Sequence, residues 1–106
     1  VCGDGSFQMS MMELATMRQH DVAAKIIVLK NNYLGMVRQY QHFTYDDRYS
    51  VVDLSGSPDI AKIAAAYDMD CIVLQNMEHA KDAIRTFLDA KEPILMVCEI
   101  HPMDLV

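Results

Sequence analysis

Two short polar runs in this sequence contain the residue types that bind a phosphate group and a metal ion. The first is Gly3-Asp4-Gly5-Ser6, and the second begins at Asn31. Glycines let the backbone approach a diphosphate closely, and the amide groups and dipole at a helix start favour an anion. The carboxylate of Asp4 would repel a phosphate unless a divalent cation lay between them. The pattern therefore indicates a diphosphate bound through Mg²⁺.

The oxygen atoms around Asn31 suit such an ion, because Mg²⁺ prefers carboxylate, amide and backbone oxygens together with phosphate oxygens and water. Ligands of α/β sheets bind beyond the carboxyl ends of the strands, so the Asn31 side chain and the Tyr33 carbonyl are well placed to join Asp4. Taken separately, each run also fits ordinary structure: G-D-G as a turn with a helix cap, and Asn31-Asn32 as a strand end. From either run alone, we would favour that structural interpretation.

Hydrophobic periodicity predicts the elements that must position these residues. A helix is expected from about Ser6 to His20, followed by a buried strand over Lys25–Leu29. Residues 31–50 are polar, rich in Tyr and only weakly periodic, so this stretch is predicted to be irregular or mixed.

Further elements alternate along the second half of the chain. Ser57 as N-cap and Pro58 in the first turn predict a helix that continues to Asp68. Apolar strands are predicted over Cys71–Gln75 and Ile94–Cys98. Between these strands we predict one more helical face, formed by Ala80, Ala83, Ile84, Phe87 and Leu88.

This alternation predicts an α/β fold, with a parallel sheet and helices on both faces. The first helix is preceded only by Val1, Cys2 and the glycine turn, which leaves no room for the strand that should feed it. We therefore expect residues 1–106 to be the C-terminal part of an N-terminally truncated domain, with an unpaired sheet edge.

The composition argues against several classes of protein. The formal charge is −6 and the nine Lys and Arg residues are scattered, so we expect no nucleic-acid partner. No window reaches the ~18 apolar residues of a membrane span, and the start lacks a secretory signal, so we expect a cytoplasmic protein without membrane contact. The three widely spaced cysteines fit buried reduced thiols, and the run Met9–Met12 is predicted to be core.

The remaining polar residues carry little signal. The four histidines are far apart in sequence, and we interpret them as surface or structural residues. Arg38 and Arg48 lie in the Tyr-rich stretch, where charged side chains are ordinarily solvated.

Taken together, the polar runs resemble a known signature. G-D-G, followed after a helix and a strand by Asn31-Asn32, is similar to the thiamine-diphosphate motif. Four further segments resemble the large subunit of acetolactate synthase, so that the resemblance spans nearly the whole chain: Ser6–Met9, Glu13–Thr16, Tyr33–Gln39 and His101–Met103.

The resemblance implies a role for each matching residue. Asp4, the Asn31 side chain and the Tyr33 carbonyl would hold Mg²⁺, and Met36 and Val37 would lie near the thiazolium and the substrate channel. The residues implied in cofactor binding are Gly3, Gly5, Ser6, Leu34, Gly35 and Met36.

Two positions depart from the family pattern. Lys30 stands where the family usually has the first Asn of its pair, while Asn31 keeps the metal-binding second place and Asn32 falls at a variable position. Tyr40 stands where acetolactate synthases usually have a Trp, which lines the substrate region and favours 2-oxobutyrate as second substrate. This departure bears on which acceptor the enzyme prefers.

The resemblance also implies the reaction of the intact enzyme. Such an enzyme decarboxylates pyruvate and adds the hydroxyethyl carbanion to a second 2-oxo acid in branched-chain amino-acid biosynthesis. In the family an amino-terminal domain of the partner subunit supplies the activating glutamate, and a middle domain carries FAD. A dimer or tetramer and a small regulatory subunit are the partners implied, and residues 1–106 alone would be inactive.

Two alternatives stay open on the sequence alone. A pyruvate oxidase or a 2-oxo acid decarboxylase would share the thiamine-diphosphate anchor but form other products. A non-catalytic α/β interaction domain would use G-D-G only as a capped turn.

Overall fold

The structure, a computed structural model, describes residues 1–103, so the last three residues of the predicted domain lie outside the described part. Its strands form one parallel four-stranded sheet: β1 (Cys2–Gly3), β2 (Lys25–Lys30), β3 (Asp70–Leu74) and β4 (Ile94–Glu99). The helices are α1 (Asp4–Ser10), α2 (Glu13–Gln19), α3 (Gly35–Tyr45), α4 (Ile60–Ala66) and α5 (Ala80–Asp89). The order β1-β2-β4-β3 confirms the predicted α/β class. None of these helices is long and apolar enough to cross a membrane.

Helices cover both faces of the sheet, as predicted. One face buries a cluster from α1, α2 and α4 with β2 and β4: Phe7, Leu14, Val28, Ile60, Ala64, Leu95 and Val97. Opposite it, Phe87 of α5 packs against Ile94 and Met96. Successive side chains of a strand point to opposite faces, which is why Leu95 and Val97 belong to the first cluster while their β4 neighbours belong to the second.

The short strand β1 corrects the expectation that no strand fits before the first helix. Cys2 pairs with Val28 and Gly3 with Leu29, in parallel register. No strand lies beyond β1 in residues 1–103, so its outer edge is the unpaired sheet edge that the sequence predicts.

The single helix predicted over Ser6–His20 is two helices in the structure. Between α1 and α2, the amides of Leu14 and Ala15 bond to the carbonyls of Met11 and Met12, at 3.1 and 3.2 Å. These bonds span three residues rather than four, so the chain passes through a tighter turn than an α-helix allows.

Several side chains predicted to be core are exposed. Met9 and Met12 are 74% and 63% exposed, so the prediction that the Met run is core is wrong for them. In α5, Phe87 is buried, but Ile84 and Leu88 lie on the solvent side. Two of the five residues of the predicted face thus border solvent in this chain.

The stretch predicted to be irregular or mixed contains the longest helix described, α3. Its amide and carbonyl groups bond within the helix, but almost all of its side chains are exposed or half-buried. A helix that buries so little shows only weak apolar periodicity in sequence, which explains why the sequence did not locate this helix within the stretch. Asp46 and Asp47 end the helix with φ of 47° and 62°, a left-handed conformation that Asp tolerates better than most residues.

The start of α4 also differs from the prediction. Asp59, not Ser57, is the N-cap, because its carboxylate accepts bonds from two amides of the first turn at 2.9 and 3.3 Å. The helix therefore begins at Ile60 rather than Pro58. The Ser57 hydroxyl instead accepts a bond from Gln8 on α1, at 3.1 Å.

Candidate functional site

The two polar runs meet at the carboxyl ends of β1 and β2, which are neighbours in the sheet. A cavity of about 330 Å³ lies there. All residues predicted to bind the cofactor or the metal line it, together with Val37: Gly3, Asp4, Gly5, Ser6, Asn31, Tyr33, Leu34, Gly35 and Met36. The parallel register brings these residues together, since both strands end at the same edge of the sheet.

Asp4 presents a buried carboxylate at this edge. It is 2% exposed, and its two oxygens accept bonds from the amides of Gly5 at 3.0 Å and Asn32 at 2.8 Å. In the described part of the chain no Lys, Arg or His forms an ion pair with it. Each oxygen keeps a further acceptor position. Buried charges are normally paired or coordinate a metal, so this carboxylate fits a metal ligand.

Asn31 is 6% exposed, and a left-handed turn holds it in place. Its side-chain oxygen accepts a bond from the Tyr33 amide at 2.9 Å, and Asn32 between them has φ of 60°. That bond identifies which amide atom is the oxygen. The oxygen can therefore serve as a neutral second ligand.

A short antiparallel bridge supports the loop that follows. Tyr33 faces Asp53, with bonds from the Leu34 amide to the Val52 carbonyl at 2.9 Å and from the Leu54 amide to the Asn32 carbonyl at 2.8 Å. The Tyr33 carbonyl takes no part in these two bonds. It is thus left for another partner, as the predicted ligand role requires.

The donor set fits Mg²⁺ rather than a softer metal. It comprises a carboxylate, an amide oxygen and a backbone carbonyl, all of them hard oxygen donors. No cluster of three or more His, Cys, Asp or Glu side chains that could hold a metal occurs in residues 1–103. The other coordination positions would therefore be filled by phosphate oxygens and water.

Gly5 lies close to two leucine side chains. A Cβ atom there would lie 2.7 Å from Leu34 Cδ2 and 3.3 Å from Leu54 Cδ1. Since its amide donates to Asp4, it is not available to a diphosphate in this arrangement. The amides predicted to bind the diphosphate are therefore those of Ser6 and its neighbours, and the metal ion would provide the remaining contact.

The two positions that depart from the family pattern lie outside this cavity. The Lys30 ammonium group is 3.7 Å from Glu99 on the neighbouring strand β4. Tyr40 is 59% exposed on α3 and packs edge-on against Tyr45, with ring centroids 5.8 Å apart. The structure thus does not bring Tyr40 to the predicted metal ligands within this chain.

Arg38 is the residue whose environment the sequence interpretation missed. It is only 7% exposed, whereas Arg48 is exposed as predicted and donates to the Tyr45 carbonyl. The Arg38 guanidinium lies over the rings of Tyr33 and Tyr49. The sequence signal for this contact was the presence of Tyr33 and Tyr49 on either side of Arg38. Their spacing in sequence does not show that both rings lie against the guanidinium.

The histidines, Asp47 and the cysteines do not line the cavity. All four histidines are exposed, as predicted. Hydrogen bonds from His42 and Tyr49 hold the pKa of the Asp47 carboxyl below its ordinary value. The described cysteines are free thiols, but they are partly rather than fully buried, and burial raises the pKa of each.

A family model described as "Thiamine pyrophosphate enzyme, C-terminal TPP binding domain" matches residues 1–98. The acetolactate synthase large subunit of Pyropia yezoensis is 37% identical over 101 residues, which are 94% of this chain and 17% of that protein. The acetolactate synthase isozyme 2 large subunit of Escherichia coli is 33% identical over 106 residues, covering all of this chain and 19% of that protein. The chain thus spans about a fifth of the length of these relatives.

The fold also matches a solved structure, the thiamine diphosphate-dependent 4-hydroxybenzoylformate decarboxylase of Rhodococcus jostii. The TM-score is 0.85 at 22% identity, over 93% of this chain and 19% of that one. At this identity the match supports the fold alone.

Proposed function

Because the chain belongs to the family of C-terminal TPP binding domains of thiamine pyrophosphate enzymes, we propose that it is the diphosphate- and Mg²⁺-anchoring part of an acetolactate synthase. The observation that carries the proposal is the buried carboxylate of Asp4 beside the Asn31 amide in one cavity. The chain spans about a fifth of these relatives, so residues 1–106 act as the C-terminal part of the binding domain of a longer protein.

Each residue of the cavity has a distinct task in this proposal. Asp4 and Asn31 hold Mg²⁺ through their side chains, and Tyr33 holds it through its carbonyl. The negative charge of Asp4 also offsets part of the positive charge on Mg²⁺, which lowers the cost of burying the carboxylate and the metal ion together. The turn from Gly3 to Ser6 contacts the diphosphate.

Leu34 and the first residues of α3 complete the cavity on its apolar side. Leu34, Gly35 and Met36 line it, and Val37 continues the same wall. Bound thiamine diphosphate supplies the carbanion chemistry, while the protein has to position it and exclude water. We assign Met36 and Val37 to the region where the 2-oxo acid approaches.

The complete protein would decarboxylate pyruvate and transfer the two-carbon unit to a second 2-oxo acid. Tyr40 stands on the same helix, beyond Val37, and its ring is smaller than the Trp usual in acetolactate synthases. To measure which 2-oxo acid the protein prefers as acceptor, we would supply pyruvate alone and then pyruvate with 2-oxobutyrate, and compare the amounts of the two products.

The proposal extends to partners and to a second cofactor. We propose a dimer or tetramer, because two relatives named "large subunit" share nearly the whole of this chain, and a small regulatory subunit would complement them. FAD would bind to another domain of the complete protein. Mass measurement of the purified complete protein, with its absorption spectrum, tests both points.

The decisive experiment compares the complete wild-type protein with Asn31→Ala, incubated with pyruvate, Mg²⁺ and thiamine diphosphate. Asn76→Ala is the matched control, because the Asn76 oxygen also accepts a bond from the amide two residues later, at 3.0 Å, but Asn76 does not line the cavity. We expect acetolactate from wild type and control, and its loss in Asn31→Ala.

Other products would change the proposal. Acetaldehyde or acetate would keep the cofactor anchor but assign the protein to a decarboxylase or an oxidase. The absence of any product and of Mg²⁺-dependent thiamine diphosphate binding, with Asp4→Ala behaving as wild type, would reduce G-D-G to a capped turn.

A further inference from the structure

Arg38 is the one charged side chain that α3 buries. It is 7% exposed, on a helix whose other residues are half-buried or exposed. Burying a guanidinium is unfavourable unless its surroundings stabilise it. Its contacts therefore show which parts of the chain it holds together.

Those contacts come from distant segments. One guanidinium nitrogen donates to the Pro102 carbonyl at 2.9 Å, and the other is 2.8 Å from the Met103 sulfur. The guanidinium carbon lies 5.3 Å from the centre of the Tyr33 ring and 5.6 Å from that of Tyr49. Arg38 thus joins the loop after β2, the loop after α3 and the segment after β4.

The contact with Tyr33 leads directly to the predicted metal site. The Tyr33 amide donates to the Asn31 side chain, and its carbonyl is a predicted ligand. When the ring is held under a guanidinium, the Tyr33 backbone has less freedom to rotate. Gly35, Met36 and Val37 directly precede Arg38 in the first turn of α3, and they line the cavity.

We infer that Arg38 is a positioning residue for the Mg²⁺ and thiamine diphosphate site, acting through Tyr33 and the first turn of α3. The inference rests on the proposed function. Arg38 does not line the cavity itself, so its effect is on the geometry of the ligands and not on contact with the cofactor. Groups that orient ligands in this way typically change metal affinity by about 10- to 100-fold when removed.

Lysine is a poor substitute at such a position. A guanidinium is planar, so it can lie on an aromatic ring and donate along two directions at once. An ammonium group could keep the charge and one bond to the Pro102 carbonyl, but it could not reproduce both the bond and the stacking. We therefore expect Arg38→Lys to lie between wild type and Arg38→Met.

The test measures thiamine diphosphate binding to the complete protein by calorimetry, at several Mg²⁺ concentrations. We expect Arg38→Met to weaken binding by roughly tenfold or more, with a smaller loss of kcat once cofactor and metal are saturating. Arg48→Met is the matched control, because Arg48 is exposed and bonds only to the Tyr45 carbonyl in the described part. It should bind as wild type does.

Thermal unfolding without cofactor separates positioning from general stability. If Arg38→Met does not fold, Arg38→Lys decides: weaker binding at an unchanged unfolding midpoint supports the inference, and wild-type binding overturns it. Wild-type binding by a folded Arg38→Met also overturns it. If wild type itself binds no thiamine diphosphate, the proposed function fails and the inference fails with it, whereas binding lost in Asn31→Ala but kept in Arg38→Met refutes the inference alone.

Discussion

The buried carboxylate of Asp4 needs a positive partner. Its two bonds come from backbone amides, which reduce but do not cancel a full negative charge in a site 2% exposed to water. A divalent cation would provide the missing counter-charge. The same charge is what makes a bare diphosphate unfavourable there, so anion and metal have to bind together.

The exposed group around Asp47 illustrates a different residue-scale effect. Asp47 accepts bonds from the His42 ring and the Tyr49 hydroxyl, and these bonds lower its pKa. Because the folded pKa lies below the unfolded one, ionised Asp47 stabilises the fold above its unfolded pKa. That contribution is lost as the pH falls through the folded pKa.

Tyr49→Phe should therefore raise the pKa of Asp47 towards its ordinary value, because one of the two donors is removed. The acid-side change in stability attributable to Asp47 should shrink accordingly. A carbon NMR titration of the carboxyl group measures the pKa directly. Tyr67→Phe, which changes a tyrosine outside this group, is the control; an unchanged Asp47 titration in Tyr49→Phe would contradict the prediction.

At the scale of elements, the turn from β1 into α1 depends on two glycines that have different surroundings. Gly5 lies against the side chains of Leu34 and Leu54, whereas nothing lies within 4 Å of a Cβ built on Gly3. Gly3 also has an extended backbone, with φ of −80°, that any residue adopts. Of these two glycines, only Gly5 is tightly packed.

Gly5→Ala should destabilise the chain by about 1–3 kcal/mol, because the new methyl group pushes Leu34 and Leu54 from their positions. Gly3→Ala should leave the free energy of unfolding nearly unchanged. Denaturant unfolding of the two variants under identical conditions measures the difference. Equal free energies of unfolding for the two variants would contradict this prediction and show that Leu34 and Leu54 move aside at little cost.

The N-terminus of α4 provides a second element-scale prediction. Asp59→Ala removes the acceptor for two amides and should cost about 0.5–2 kcal/mol of stability. Asp59→Asn keeps a side-chain oxygen and should lose much less. If Ser57 were the true cap, Asp59→Ala would have almost no effect on the unfolding midpoint in urea.

On the scale of the whole molecule, residues 1–103 form a flat and extended body. Its dimensions are 47 × 31 × 19 Å, and its radius of gyration is 15.1 Å, against about 13 Å for a compact chain of this length. Large apolar side chains on α3 are exposed, among them Met36 at 79% and Phe43 at 69%. Together with the outer edge of β1, they form surface that favours association.

The 106-residue chain by itself should therefore be marginally stable and should associate. Sedimentation is expected to show an average mass that rises with protein concentration, and Phe43→Gln should reduce this rise by removing apolar surface. A monomer with a sharp unfolding transition independent of concentration would contradict the prediction.

The sequence by itself determined the α/β class, the strands β2 and β4, the helix α5 and the two polar runs that meet at the cavity. These features depend on local signals: apolar runs, helical spacing, and the pairing of G-D-G with Asn31 after a helix and a strand. Such signals are strong where an element is buried, because burial imposes a periodic pattern on the chain. The roles of Asp4, Asn31 and Tyr33 remain predictions.

Only the tertiary structure decided what depends on contacts between distant segments. It places β4 between β2 and β3 and makes Asp59 the cap of α4. It also brings Arg38 into contact with Pro102 and Met103, which are more than 60 positions later in the chain. The sequence predicted an irregular or mixed stretch over residues 31–50 without locating α3, because this helix buries one arginine and not an apolar stripe. The type of a side chain does not show which distant residue will lie beside it. Strand order and the burial of Arg38 both depend on such neighbours.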